Sequence, residues 1–380
     1  MDSVKEKTTA LYPPVGPGGG QSLPKVSEQS IAEEIDEHKP PEEDLLEKMR
    51  RFSDPAYLHT VSMNDLYENV YQSKPPVIDG LLYAGTYLFV GAPKVGKSFL
   101  MAQLAYHVSM GLPLWGYAVR QGTVLYLALE DDHRRLQERL YRMFGTDSTP
   151  DLHFAICAKK LGNGLEEQLK KFIKRHPDTR LVIIDTLQKV RENSGDKYSY
   201  ASDYDVITGL KEFADASGIC LLLVHHTRKQ QADDKFDMIS GTNGLLGAAD
   251  GAFLLQKERR TDSAATLDIS GRDQQDQRLY LSRDEERLVW QLERTETELW
   301  REPPDPVLEA VAALVTAERP AWSGTATDLA AALGLELQPN ALTKRLNVRA
   351  GKLLNDFHIR YENTHIRTGS RIKLTRAEEV

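Results

Sequence analysis

The sequence is poor in cysteine, with two in 380 residues, Cys157 and Cys220. They lie far apart, which excludes a disulfide scaffold and offers no metal-ligand spacing. Both sit in apolar runs and read as core thiols of a reducing compartment. Long apolar runs are also missing. None reaches the length of a membrane span, and the N-terminus has no apolar signal core, so the expectation is a cytoplasmic protein without a membrane partner. Positive charge is not in excess: 48 Lys and Arg against 56 Asp and Glu leave a net charge of −8. Any contact with nucleic acid must therefore come from a local patch. No internal repeat is present. The 41% hydrophobic and 27% charged content is nonetheless that of a globular chain, long enough for two or three domains.

What is present is a phosphate loop. Gly91-Ala92-Pro93-Lys94-Val95-Gly96-Lys97-Ser98 fits G-x-x-x-x-G-K-[ST] without a gap. Glycines allow the backbone to fold tightly around phosphates and aim its N–H groups inward. The lysine reaches the β- and γ-phosphates, and the serine hydroxyl ligates Mg²⁺. Tyr87–Val90 before it reads as a buried strand. Phe99–Val108 after it has helical apolar spacing, so a helix N-terminus faces the anion. Gly91 through Phe99 are thus the candidate ATP contacts, with Ser98 as a metal ligand.

The rest of the chain organises around that loop. Residues 1–55 form an acidic tail, Pro- and Gly-rich from Leu11 to Gln21, too polar to offset its ordering entropy. A partner-docking segment is the alternative use of that tail. Residues 56–298 alternate apolar strands with helices, at Thr123–Leu129, Leu152–Cys157, Leu181–Asp185 and Gly218–Val224, and then run into strands without helices. This predicts an α/β fold, a mostly parallel sheet covered on both faces and extended by antiparallel strands. After a proline-rich linker, residues 305–376 read as three helices (Val307–Ala317, Ser323–Leu333, Asn340–Phe357) and two short strands, a winged-helix pattern. From Ala341 to Arg376, nine Lys and Arg face two acids, a local charge of +7 in an acidic chain.

Open α/β sheets bind ligands at the carboxyl ends of their strands. Glu130, Asp185 and His225–His226 each directly follow an apolar strand and should converge with the phosphate loop. Asp185 suits a water-mediated Mg²⁺ contact. Glu130 is placed to orient or deprotonate an attacking water, with a helix-capping acid as the alternative that Asp131 and Asp132 fit better. His226 is a candidate sensor of the γ-phosphate. Neighbouring strand residues point to opposite faces, so one histidine of the pair should do this.

In combination, G-A-P-K-V-G-K-S, L-A-L-E-D, L-V-I-I-D-T-L-Q, L-L-L-V-H-H-T-R-K and S-G-T-N-G-L-L-G-A-A-D resemble the RepA-type plasmid helicases and AAA-family relatives on mobile elements. The likeness covers about residues 74–292. It implies a RecA-like P-loop core, a homo-oligomer (a hexamer in that family), ATP with Mg²⁺, and single-stranded DNA through the ring. By position it implies a catalytic glutamate at Glu130, a Walker B aspartate at Asp185, a sensor at His226 and an adenine contact at Arg139. It also implies an arginine finger at Arg272 reaching a neighbouring subunit, with Arg278 and Arg283 as substitutes. Catalysis would then rest on Lys97, Glu130, Asp185, His226 and Arg272. DNA contacts would fall on the loops after the third and fourth strong strands, at Lys189, Arg191, Arg228 and Lys229. The C-terminal helix offers Lys344, Arg345, Arg349 and Lys352 to a duplex. The DnaB primase-binding domain has no counterpart here, and a replication or mobile-element partner is expected at the tail. Two outputs stay open: a DNA helicase, or an ATP-switched DNA-binding oligomer that unwinds nothing.

Overall fold

The structure, a computed structural model, describes residues 56–58, 60–71, 75–191, 200–227, 243–259, 261–272, 274–297, 303–366 and 369–377. The expected tail over 1–55 lies outside them. Two compact units divide the chain, Met1–Ser62 and Met63–Val380. Described residues of the first are exposed and form no helix or strand.

The second unit opens with a short helix, α1 (Met63–Glu68), none of whose residues is buried. Six parallel strands follow: β1 (Gly85–Gly91), β2 (Val124–Ala128), β3 (Leu152–Ala155), β4 (Leu181–Asp185), β5 (Cys220–His226) and β6 (Gly251–Gln256). Antiparallel β7 (Ala264–Gly271), β8 (Gln277–Arg283) and β9 (Trp290–Thr295) extend the sheet, which runs β3-β2-β4-β5-β1-β6-β7-β8-β9.

Alternation along each strand explains the two cores. Tyr87 and Phe89, Leu181 and Ile183, and Leu222 and Val224 point to one face. Leu88 and Val90, Val182 and Ile184, and Leu221 and Leu223 point to the other. Both faces must therefore be covered, which is why these runs are apolar throughout. Helix α2 (Lys97–Met110) covers the first face with Leu100, Met101, Leu104 and Val108, joined by Leu136 and Met143 of α3 (His133–Phe144). The second face is covered by α4 (Leu165–Arg175) and, past the short α5 (Leu187–Val190), by α6 (Tyr200–Ser217) and α7 (Asn243–Ala248). Each fully buried leucine, isoleucine or phenylalanine contributes about 2 kcal/mol. The glycine-rich stretch before β6 hides α7, which the sequence does not announce. Cys220 is a core thiol as expected, but Cys157 is exposed, because β3 is an edge strand that ends at Ala155.

The C-terminal region has its own core. Asp305 caps α8 (Pro306–Leu314), accepting from Val307 N at 2.9 Å and Leu308 N at 3.4 Å, with Pro306 in the first turn. Then come β10 (Ala321–Thr325), α9 (Ala326–Leu333), α10 (Pro339–Phe357), β11 (Ile359–Ile366) and β12 (Gly369–Arg376), in the sheet order β10-β12-β11. The helix expected from Ser323 starts only at Ala326. Thr325 and Asp328 form a capping box there, and Ser323 is spent pairing with Lys373 of β12.

Helix α1 packs on this C-terminal region. The Asn347 side chain, 1% exposed, donates to the Tyr67 and Glu68 carbonyls, both at 2.9 Å, at the open end of α1. Its carbonyl oxygen accepts from the Tyr361 hydroxyl at 2.8 Å and from Asn363 Nδ2 at 3.1 Å. All four of its hydrogen-bonding positions are used, so this buried amide is stabilising rather than costly.

Candidate active site

Geometry dictates two glycines of the phosphate loop. A Cβ on Gly91 would sit 2.6 Å from the Leu255 carbonyl oxygen of β6. Gly96 caps α2 with φ 110°, and a Cβ there would meet the Trp290 ring at 2.8 Å. Trp290 supports the loop from behind. Its indole donates to the Gly96 carbonyl at 3.4 Å, while its backbone exchanges hydrogen bonds with the Gln103 side chain at 2.7 and 2.8 Å. The antiparallel extension is thereby fastened to the helix that carries the loop. Sequence spacing gave no sign of this brace.

Lys97 is buried. Its ammonium donates to the Gly91 carbonyl at 2.8 Å, the Ala92 carbonyl at 3.0 Å and His226 Nδ1 at 3.0 Å. Burial pulls its pKa down to about 8, against the opposing charges of Asp185 and Glu130. His226 accepts from it and is therefore neutral at Nδ1. Burial, then the lysine's charge, holds its pKa below the usual histidine value. His225, the other member of the pair, is buried.

Asp185 closes β4 and is 5% exposed. The Tyr126 hydroxyl donates to its Oδ2 at 2.9 Å, and the Ser98 hydroxyl acts on the same carboxylate. Burial raises its pKa, and the Ser98 and Tyr126 hydroxyls work against that rise. The Asp185–Thr186 peptide is cis. Thr186 Oγ1 donates to Glu130 Oε1 at 3.4 Å. Lys97, Ser98, Glu130, Asp185 and His226 thus meet at the carboxyl ends of β1, β2, β4 and β5. Tyr126, which lies in no motif, and Thr186, which follows Asp185, join them. The paired oxygens of Ser98 and Asp185 are hard donors of the kind Mg²⁺ takes, since that ion keeps several waters and fills its shell with phosphate oxygens.

Arg139 donates to Asp131 at 2.7 and 3.2 Å and lies over the Phe99 ring, 5.0 Å from its centroid. Arg283 lies over the same ring at 4.1 Å. Asp132 caps α3, whereas Asp131 is committed to Arg139. Arg278 is held by Asp268 and Glu296. Arg272 is exposed and donates to the Gly247 carbonyl at 2.7 Å. Gly271 pairs with Gly251, which pairs with Tyr87. This places Arg272 near the amino end of β1, about 16 Å along the strand from Gly91. It is not part of the cluster around this chain's own phosphate loop.

The expected DNA contacts are distributed unevenly. Lys189 is exposed, but Arg191 is buried at the end of α5. A buried guanidinium does not present itself to a phosphate. Arg228 and Lys229 lie outside the described residues. On α10, Arg345 pairs with Asp305 through two hydrogen bonds at 2.9 and 3.2 Å, and so locks α10 to the start of α8. Lys344, Arg349 and Lys352 are partly exposed.

Residues 53–232 match the family model described as AAA domain. No curated protein matches the sequence. Among solved structures, the chain is similar to the ATPase domain of G40P, at 14% identity and a TM-score of 0.48, over 66% of this chain and 97% of that one. It is also similar to a DnaB-like replicative helicase described with its interactions with primase, at 16% identity and a TM-score of 0.48, over 67% and 71% of the two chains. The phosphate loop, the strand order and the match over residues 53–232 together give a P-loop α/β core similar to an AAA domain.

Proposed function

We propose that the protein is a DNA-dependent ATPase of the RepA/DnaB type, working as a ring to translocate on and unwind DNA. The observation that carries this reading is the convergence of Lys97, Ser98, Glu130, Asp185 and His226, with Lys97 hydrogen-bonded to His226. In this arrangement Lys97 exchanges its bonds to the Gly91 and Ala92 carbonyls and to His226 for the β- and γ-phosphates of ATP. That exchange frees His226 Nδ1, which then faces the site where the terminal phosphate is present or absent. His226 ends β5, so its state passes directly to the segment after Thr227. Glu130 accepts a proton from, or orients, the attacking water. Ser98 and Asp185 would hold Mg²⁺, which neutralises charge on the phosphates when bound. Arg272, remote from its own loop, is assigned to a neighbouring subunit's site. The C-terminal region, read as a winged helix, offers Lys344, Arg349 and Lys352 to duplex phosphates.

Steady-state ATP hydrolysis with and without single-stranded DNA tests this, alongside strand displacement on a forked duplex. The expected outcome is hydrolysis stimulated by DNA, displacement of the strand, and loss of both in Lys97→Ala with the fold intact. DNA stimulation without displacement would replace the motor by an ATP-switched DNA-binding oligomer. Normal turnover in Lys97→Ala would overturn the site.

A further inference from the structure

Tyr126 stands out within the sheet. It sits in the middle of β2, fully buried, where every neighbour along the strand is aliphatic. A buried hydroxyl is costly unless it is paired, and an apolar side chain would serve packing alone. The ring does pack, with its centroid 5.5 Å from that of Phe154 on β3. The hydroxyl goes elsewhere: it donates to Asp185 Oδ2 at 2.9 Å, and the Ser98 carbonyl lies 3.5 Å from it. One hydroxyl therefore spans β4 and the first turn of α2, the two elements that supply the oxygen donors for Mg²⁺.

We infer that Tyr126 is a positioning residue of the Mg²⁺ site, fixing the Asp185 carboxylate through Oδ2 so that its other oxygen faces Ser98 and the phosphates. The inference rests on the nucleotide-site reading above and adds to it. The donor is aimed at Asp185 by the buried strand that carries it. It is also rigid, because the ring is enclosed on β2. Tyr126 is thus the donor that keeps the carboxylate in place. Outer-shell hydrogen bonds of this kind are worth about 10- to 100-fold in metal affinity.

The test uses the full chain and a fluorescently labelled ADP. Its Kd is measured in EDTA and across a Mg²⁺ series, for wild type, Tyr126→Phe and Phe154→Leu. Tyr126→Phe keeps the ring and should bind labelled ADP as wild type does in EDTA. It should need about tenfold more Mg²⁺ for half of the cation-dependent gain in affinity. Phe154→Leu disturbs the ring packing, retains the hydroxyl and should keep the wild-type Mg²⁺ requirement. An unchanged requirement in Tyr126→Phe, or the same shift in both variants, would overturn the positioning role. A wild type that binds no labelled ADP would overturn the nucleotide site itself, and one whose binding ignores Mg²⁺ would overturn the Ser98–Asp185 pair.

Discussion

Lys97 must carry its charge to hold phosphates, yet burial in its pocket holds its pKa down to about 8. Bound phosphates reverse the imbalance and keep the ammonium protonated. Binding should therefore take up a proton wherever the free lysine is neutral. The sign follows directly: a lowered pKa means the free site loses its proton as pH rises through 8, so affinity falls above that point and is flat below it. With the bound form fully charged, apparent Kd for ADP should rise about tenfold between pH 7 and pH 9. Proton uptake should be close to zero at about pH 6.5 and roughly 0.8 per site at about pH 8.5. His226 adds little to either, because its pKa is already held below the ordinary histidine value. The assay is isothermal titration calorimetry of ADP in buffers of different ionisation enthalpy, at constant Mg²⁺. A Kd that stays flat to pH 9.5, with no buffer dependence of the heat at pH 8.5, would refute the depressed lysine and the pocket's account of it.

Two further outcomes are expected. Arg272→Ala should bind ATP normally but turn it over about 10³-fold more slowly. Mixing it with Glu130→Ala subunits should restore activity at intermediate ratios, and no rescue at any ratio would remove Arg272 from the neighbour's site. Asn347→Ala should lower the stability of the C-terminal region by about 3 kcal/mol, because it strands the Tyr361 hydroxyl and two α1 carbonyls. Urea unfolding followed at the C-terminal tryptophan, Trp322, would report this, and an unchanged midpoint would show that the network carries no weight.

Much of the site was legible because its parts are local. Gly91–Ser98 is one contiguous motif, and Asp185, Glu130 and His226 each end or follow a strand whose apolar run is plain in the sequence. The parallel topology then brings those ends together without further information. What was not legible depends on pairing across the sheet. Trp290 and Gln103 meet only once β9 has been laid at the far edge, and Tyr126 reads as one more large residue in a buried strand until β4 is set beside β2. Arg345 looked like a surface cation because its partner, Asp305, lies a whole domain core away in sequence. The α7 helix was hidden by glycines and β10 by a serine-threonine run. In both cases tertiary pairing decides the local state over propensity.

The bond between Asn347 and the Tyr67 carbonyl joins residues 280 positions apart. Seen as a folding problem, the ATPase core is an insertion within a smaller domain that begins at α1 and finishes at β12. A ribosome releases α1 well before its receptor on α10. The large sheet can complete itself in the interval, since its strands and helices lie between the two. Helix α1, too short to hold its shape alone, has to wait. The last step of folding would then be the capture of an early segment by a late one, closing a loop around an already finished enzyme. Docking of α1 would thus mark a chain made at least past α10.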